Sequence, residues 1–204
     1  MIRAIETRYK GYRFRSRLEA RWAVFFDSLS IDWIYEPEGF DLGQGLWYLP
    51  DFWLPQQRFW IEIKPKYPFG IDKIKIDKLA EQVNDGDQVF ALYGPIPIPT
   101  EIRADWKDIN GSYYTKWDDP HVFLTQFGLY NDPYLSWIFD NYTYCAPGGW
   151  DEDYWWCSCK ECGKIGLQYE GANERICGDS GGKGYGELSL PVLVALLSAR
   201  SARF

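Results

Sequence analysis

Leu18, Trp22, Phe25, Phe26 and Leu29 fall at i, i+4, i+7, i+8 and i+11, one helical face, which predicts a helix over 15–29. Before it, YKGYRF (9–14) reads as an extended lead-in with a glycine kink. After it, IDWIYEPEGF (31–40) reads as a strand ended by Pro37 and Gly39, and DLGQGL as a turn. YLPDFWLPQQRFWIEIKP (48–65) reads as two short strands of aromatic and β-branched residues around a Pro-Gln-Gln turn. A weaker apolar stripe (Ile71, Ile74, Lys78, Leu79, Val83) predicts a second helix over 71–84. DQVFALYG (87–94) is an apolar strand, and PIPIPT a stiff connection. Residues 100–156 carry many Trp, Tyr and Asp with little period, which predicts short strands and loops. LSLPVLVALLSARSARF closes the chain as a helix with Pro191 in its first turn.

The hairpin places charge where the pattern calls for burial. With the turn centred between Gln56 and Gln57, Trp53 faces Trp60 and Asp51 faces Glu62. Phe59, Ile61 and Ile63 then share one side of the strand, and Trp60, Glu62 and Lys64 the other. Directly opposed side chains have Cβ atoms about 4.5–5.5 Å apart, and like charges there are destabilising. A raised pKa, an ion pair with Lys64 or a divalent cation would each relieve the repulsion. The first two need nothing beyond a polar strand face.

Composition bounds the chemistry. Of 204 residues, 46% are hydrophobic and 19% aromatic, with 11 Trp, which suits a packed core rather than a disordered chain. No apolar run reaches membrane-span length, and MIRAIETRYK has no apolar signal core, so a cytoplasmic protein with no membrane partner is expected. The net charge of −7 argues against broad non-specific nucleic-acid binding. Residues 1–21 nevertheless carry seven Lys/Arg against Glu6 and Glu19. Lys64, Lys66, Lys73, Lys75 and Lys78 form a second basic stretch. With a single His, a Ser-His-Asp hydrolase has little support.

Pro50-Asp51, a ten-residue gap, then Glu62-Ile63-Lys64 resembles the PD-(D/E)XK nuclease signature. Glu19, in SRLEARWA, matches the acidic residue many of these enzymes carry on the preceding helix. Phage junction-resolving endonucleases and the endonuclease subunits of heteromeric transposases are similar in this respect. The likeness spans about residues 9–94. It implies an α/β (α+β) fold with a restriction-endonuclease-like core, a central mixed sheet flanked by helices. It implies Mg²⁺ (or Mn²⁺) held by Glu19, Asp51, Glu62 and the Ile63 carbonyl, with Lys64 completing a catalytic set of Glu19, Asp51, Glu62 and Lys64. The substrate implied is DNA, junction or branched forms included, in the cytoplasm of a bacterial or phage-infected cell. Cutting two strands would need a second copy of the chain or a protein partner. Arg13, Arg15, Arg17, Arg21 and Lys66 are the candidate phosphate contacts, with plain surface charge as the alternative. Trp22, Phe25 and Phe26 read as core; Trp53 and Trp60 read as packing before base stacking.

Cys157, Cys159, Cys162 and Cys177 have the spacing C-x-C-x2-C-x14-C, which suits four thiolates around a structural Zn²⁺. Gly163 and Gly178 follow two of them and permit tight turns. Cys145 or His121 could join or replace a ligand, and free thiols are the alternative. The chain then divides into a nuclease core (1–98), an aromatic-rich extension (99–150), and a small zinc-binding C-terminal module with the last helix (151–204). Metal-dependent cutting of DNA is the leading expectation. The alternatives are a non-catalytic DNA- or protein-binding module on the same fold and a zinc-braced interaction protein.

Overall fold

A computed structural model describes residues 4–84, 86–96, 143–146, 154–159, 163–169, 186–187 and 190–204. The lead-in is a hairpin of β1 (Thr7–Tyr9) and β2 (Tyr12–Phe14), turned at Lys10 and Gly11. Both turn residues have positive φ (47° and 84°), as a two-residue turn that matches strand twist requires.

Helix α1 (Arg17–Ser28) follows, one turn shorter than its periodicity suggests. Ser16 caps it, its Oγ accepting from the Glu19 N–H at 3.2 Å while donating to Glu19 Oε1 at 2.6 Å. That exchange satisfies an orphan donor of the first turn and fixes the Glu19 carboxylate. Trp22, Phe25 and Phe26 are buried, as their spacing predicts. The chain leaves the helix through Ser30 at φ 54°, and the Ile31 N–H returns to the Phe26 carbonyl at 2.9 Å.

Strands β3 (Ile34–Tyr35), β6 (Phe52–Leu54), β7 (Phe59–Lys64), β8 (Gln88–Tyr93) and β9 (Thr143–Ala146) form a five-stranded sheet in that order. Only the β7–β8 pairing is parallel; helix α2 (Ile71–Gln82) joins those two strands in sequence. Between β3 and β6 lies a small hairpin of β4 (Phe40–Asp41) and β5 (Trp47–Tyr48). β10 (Tyr154–Cys159) pairs with β11 (Ile165–Tyr169) and β12 (Gly186–Glu187), and α3 (Leu190–Ser201) closes the order. The fold is mixed α/β, with a mixed sheet and three helices among the described residues.

Strand alternation divides the core. Phe59, Ile61, Ile63, Phe90 and Leu92 join α1, α3, Trp156 and Leu167 in one cluster. Trp60, Val89, Ala91 and Tyr93 join Tyr48, Ile76 and Leu79 in another. The sheet is therefore covered on both faces, which suits the nearly unbroken burial of β7 and β8.

Helix α2 corrects the apolar stripe read from the sequence. Ile76 and Leu79 are buried, whereas Ile71 and Ile74 remain 53% and 47% exposed. Two isoleucine phases compete in IDKIKIDKLAEQ, and only packing selects between them. No helix among the described residues is long and apolar enough to cross a membrane.

Candidate functional site

The β6–β7 register has Trp53 opposite Trp60 and Phe52 opposite Ile61, as the sequence suggests. The connecting residues 55–58 are closed by the Arg58 N–H to the Leu54 carbonyl at 2.9 Å. Carried back one residue, this register brings Asp51, just before β6, beside Glu62. Both are only 5% exposed, and Glu19 is 6% exposed. Three buried acids near one strand end are costly, and their contacts show how the cost is met.

Asp51 Oδ2 accepts the Ile63 N–H at 2.7 Å, which ties the carboxylate to the strand that carries Glu62 and Lys64. Burial, followed by the Glu62 and Glu19 charges, nevertheless holds the Asp51 carboxyl well above its usual range. Glu62 is also raised, by burial first, against the pull of Lys64. Lys64 Nζ lies 2.7 Å from Glu62 Oε1. Burial would lower the Lys64 pKa, but Glu62, Asp72 and Asp51 outweigh it and raise it, so the ammonium stays charged.

Glu62 Oε2 is buried with no hydrogen bond, and so is the Tyr48 hydroxyl. Burial and the Glu62 charge hold that hydroxyl well above its ordinary range. The Tyr48 hydroxyl is near enough to Glu62 to draw its pKa down, although the pair falls short of good hydrogen-bond geometry. An unpartnered buried carboxylate oxygen is expensive, and a bound cation would satisfy it.

Glu19 is differently placed. Its Oε2 accepts from the Tyr35 hydroxyl at 2.7 Å and the Arg15 N–H at 3.0 Å, and its Oε1 from Ser16. Both oxygens are already engaged, although the charge reaches Asp51 and Glu62. Among the described residues no three His, Cys, Asp or Glu side chains form an assembled metal-binding group. Asp51, Glu62 and the Ile63 carbonyl are the oxygen donors that a hard cation would need, with Glu19 behind them. Donor chemistry and the orphan Glu62 oxygen fit Mg²⁺ or Mn²⁺.

Glu62 and Lys64 open into a cavity of about 370 Å³, also lined by Arg15, Trp47, Tyr48, Asp72 and Lys75. Trp47, Tyr48, Asp72 and Lys75 were not legible as site residues. Lys75 had only its place in the second basic stretch as a signal, and the others none beyond position: two on the β4–β5 hairpin and two on the first turns of α2.

Of the candidate phosphate contacts, only Arg15 lines the cavity, where it also contacts Glu36. Arg13 is exposed and paired with Glu6. Arg17 and Arg21 lie one turn apart on α1, each roughly 200° round the helix from Glu19. Burial and the neighbouring Arg17 and Arg200 charges lower the Arg21 pKa, and its Nε is buried without a hydrogen bond. Lys66 is exposed beyond the end of β7. Trp53 and Trp60 pack on one another with ring centroids 4.6 Å apart, as packing residues do.

Cys157 and Cys159 fall on β10 and Cys145 on β9, where only the backbone is described. Cys162, Cys177 and His121 lie outside the described residues, and with them the zinc expectation. Searches against family models, curated proteins and solved structures found no match to the chain.

Proposed function

We propose that the chain is a metal-dependent DNA endonuclease of PD-(D/E)XK type, a phosphodiester hydrolase for which junction and branched DNA are among the candidate substrates. One observation carries the reading: Asp51 and Glu62 are buried side by side with Lys64 against Glu62, and Glu62 Oε2 lacks a well-aligned hydrogen bond among the described residues. Two adjoining buried carboxylates beside one ammonium leave a negative charge that protonation or a bound cation must offset.

Asp51, Glu62 and the Ile63 carbonyl would hold Mg²⁺ or Mn²⁺, with Glu19 as the further acid of the set. When bound, the cation polarises the scissile phosphate and makes a coordinated water more acidic. Lys64 supplies a permanent positive charge at the same place and stabilises the charge that develops on the phosphoryl oxygens. Asp51, held by the Ile63 N–H, keeps its orientation whether or not it is protonated. Arg15 meets a neighbouring phosphate from the cavity wall and the exposed Lys66 a position farther out, whereas Arg13, paired with Glu6, and Arg17 and Arg21, turned away from Glu19, take no part in this site. Cutting both strands would call for a second copy of the chain or a protein partner. A structural Zn²⁺ on Cys157, Cys159, Cys162 and Cys177 is part of the proposal on donor chemistry alone.

A second reading, a non-catalytic DNA- or protein-binding module on the same framework, has one observation in its favour. Lys64 already neutralises Glu62, and both Glu19 oxygens are engaged. Cleavage separates the two. Purified protein is incubated with supercoiled, linear, single-stranded and four-way-junction DNA, with Mg²⁺ or Mn²⁺ and with chelator. The nuclease reading requires cation-dependent cutting that Asp51→Ala and Lys64→Ala abolish while the fold persists. Cutting that survives in both variants removes it.

A further inference from the structure

Trp47 is 65% exposed, although its neighbour Tyr48 is buried. Among the described residues its indole takes part in no ring pair, whereas most aromatic side chains of the core do. Leaving a large aromatic side chain in water forgoes roughly 1.5–3 kcal/mol of burial. Trp47 is not an isolated surface residue: it walls the cavity into which Glu62 and Lys64 open. The hairpin fixes it there, with Asp41 opposite Trp47 and the Leu42 N–H closed onto the Leu46 carbonyl at 2.8 Å.

The rest of the wall restricts the occupant. Arg15, Lys64 and Lys75 are its cations, against Glu62 and Asp72. Lys64 is paired with Glu62 and Arg15 contacts Glu36, while Lys75 has no carboxylate partner among the described residues. So slight a cationic excess does not retain a polyanion by charge alone. The cavity must also use its aromatic face. A base in a duplex is stacked on both sides and offers only its edges, so an indole can stack on it only once it has left the helix. About 370 Å³ lies at the lower end of the range for small-ligand sites and suits one nucleotide unit.

We propose that this cavity takes one unpaired nucleotide of the DNA substrate, its base stacked on Trp47 and its phosphate met by Lys75 and Arg15. This rests on the nuclease reading for the substrate class and adds what that reading lacks, a preference for DNA with an unpaired base at the cleavage centre. Trp47 is then a specificity-determining residue outside the acidic set.

The test is a binding measurement without turnover. Fluorescence anisotropy in EDTA compares a labelled duplex bearing a short single-stranded arm with a blunt duplex of the same base pairs. A third probe carries abasic sites throughout the arm. Intact protein is expected to prefer the arm. Trp47→Ala should weaken arm binding roughly 5- to 150-fold, as loss of one stacked base does, and shift blunt-duplex binding less than about twofold. Trp47→Phe should keep most of the preference. The abasic arm should cost intact protein as much as Trp47→Ala does, with no further loss when the two are combined. Equal loss on both duplexes, no loss on either, or additive losses would overturn the proposal. Absence of any DNA binding would overturn it together with the nuclease reading. Cation-dependent cutting indifferent to Trp47→Ala would remove this inference alone, whereas arm binding through Trp47 without cutting would remove only the nuclease.

Discussion

Asp51 is the residue at which stability and chemistry pull apart. Its folded-state pKa is raised, so the unfolded chain gives up this proton near pH 4 while the folded chain still holds it. Without divalent cations, stability therefore falls as pH rises from about 4 through the raised value. Asp51→Asn removes the charge and keeps an oxygen for the Ile63 N–H. It is expected to gain about 1–2 kcal/mol at neutral pH, roughly 2–8 °C in Tm for a chain of this size. The gain should shrink toward pH 4; thermal melts in chelator at both pH values measure it, and no gain at neutral pH would contradict the charge arrangement. Asp51, Glu62 and Lys64 were legible because a strand period and a turn length fix which side chains meet. Trp47 and Asp72 were not, because nothing in a two-residue strand or a weak helix says which way a side chain turns.

Elements were legible in proportion to their length and contrast. α1 has four apolar positions in phase within its bounds, with Leu29 at its C-cap, while the Ser16 cap that sets its start was not read from the sequence. Ser16→Ala should cost about 1 kcal/mol, roughly 2–4 °C in Tm, because it removes the bond to the Glu19 N–H. Unchanged melting would show that the cap adds nothing. The β1–β2 hairpin was missed as a hairpin because each strand has only three residues, too few for alternation to register. Its turn glycine was visible, but the pairing was not. In α2 the sequence offered two faces, and the sheet took the one bearing Ile76 and Leu79.

At the scale of the molecule, the final helix belongs to the same packing as the first. Val192, Leu193, Ala195, Leu196 and Ala199 are buried, and they share a cluster with Phe25, Phe26 and Phe52. Leu196→Ala should therefore cost about 2–5 kcal/mol in a denaturant titration that follows the whole chain. A transition that leaves the main unfolding step unmoved would make α3 a separate unit. The union of α1 and α3 was not legible because the residues that bring them together are far apart in sequence, and periodicity reports faces rather than their partners. The cysteine set makes its own prediction, about one zinc per chain by elemental analysis, lost when Cys157 and Cys159 are replaced by serine.

The cation between the buried carboxylates is best examined by titrating Mn²⁺ into the intact chain and following free Mn²⁺ by electron paramagnetic resonance. Binding that is weakened at least tenfold by Asp51→Asn and by Glu62→Gln, with both variants folded, is the expected result. Equal Mn²⁺ affinity in the intact chain and in both variants would mean that these two acids hold no metal.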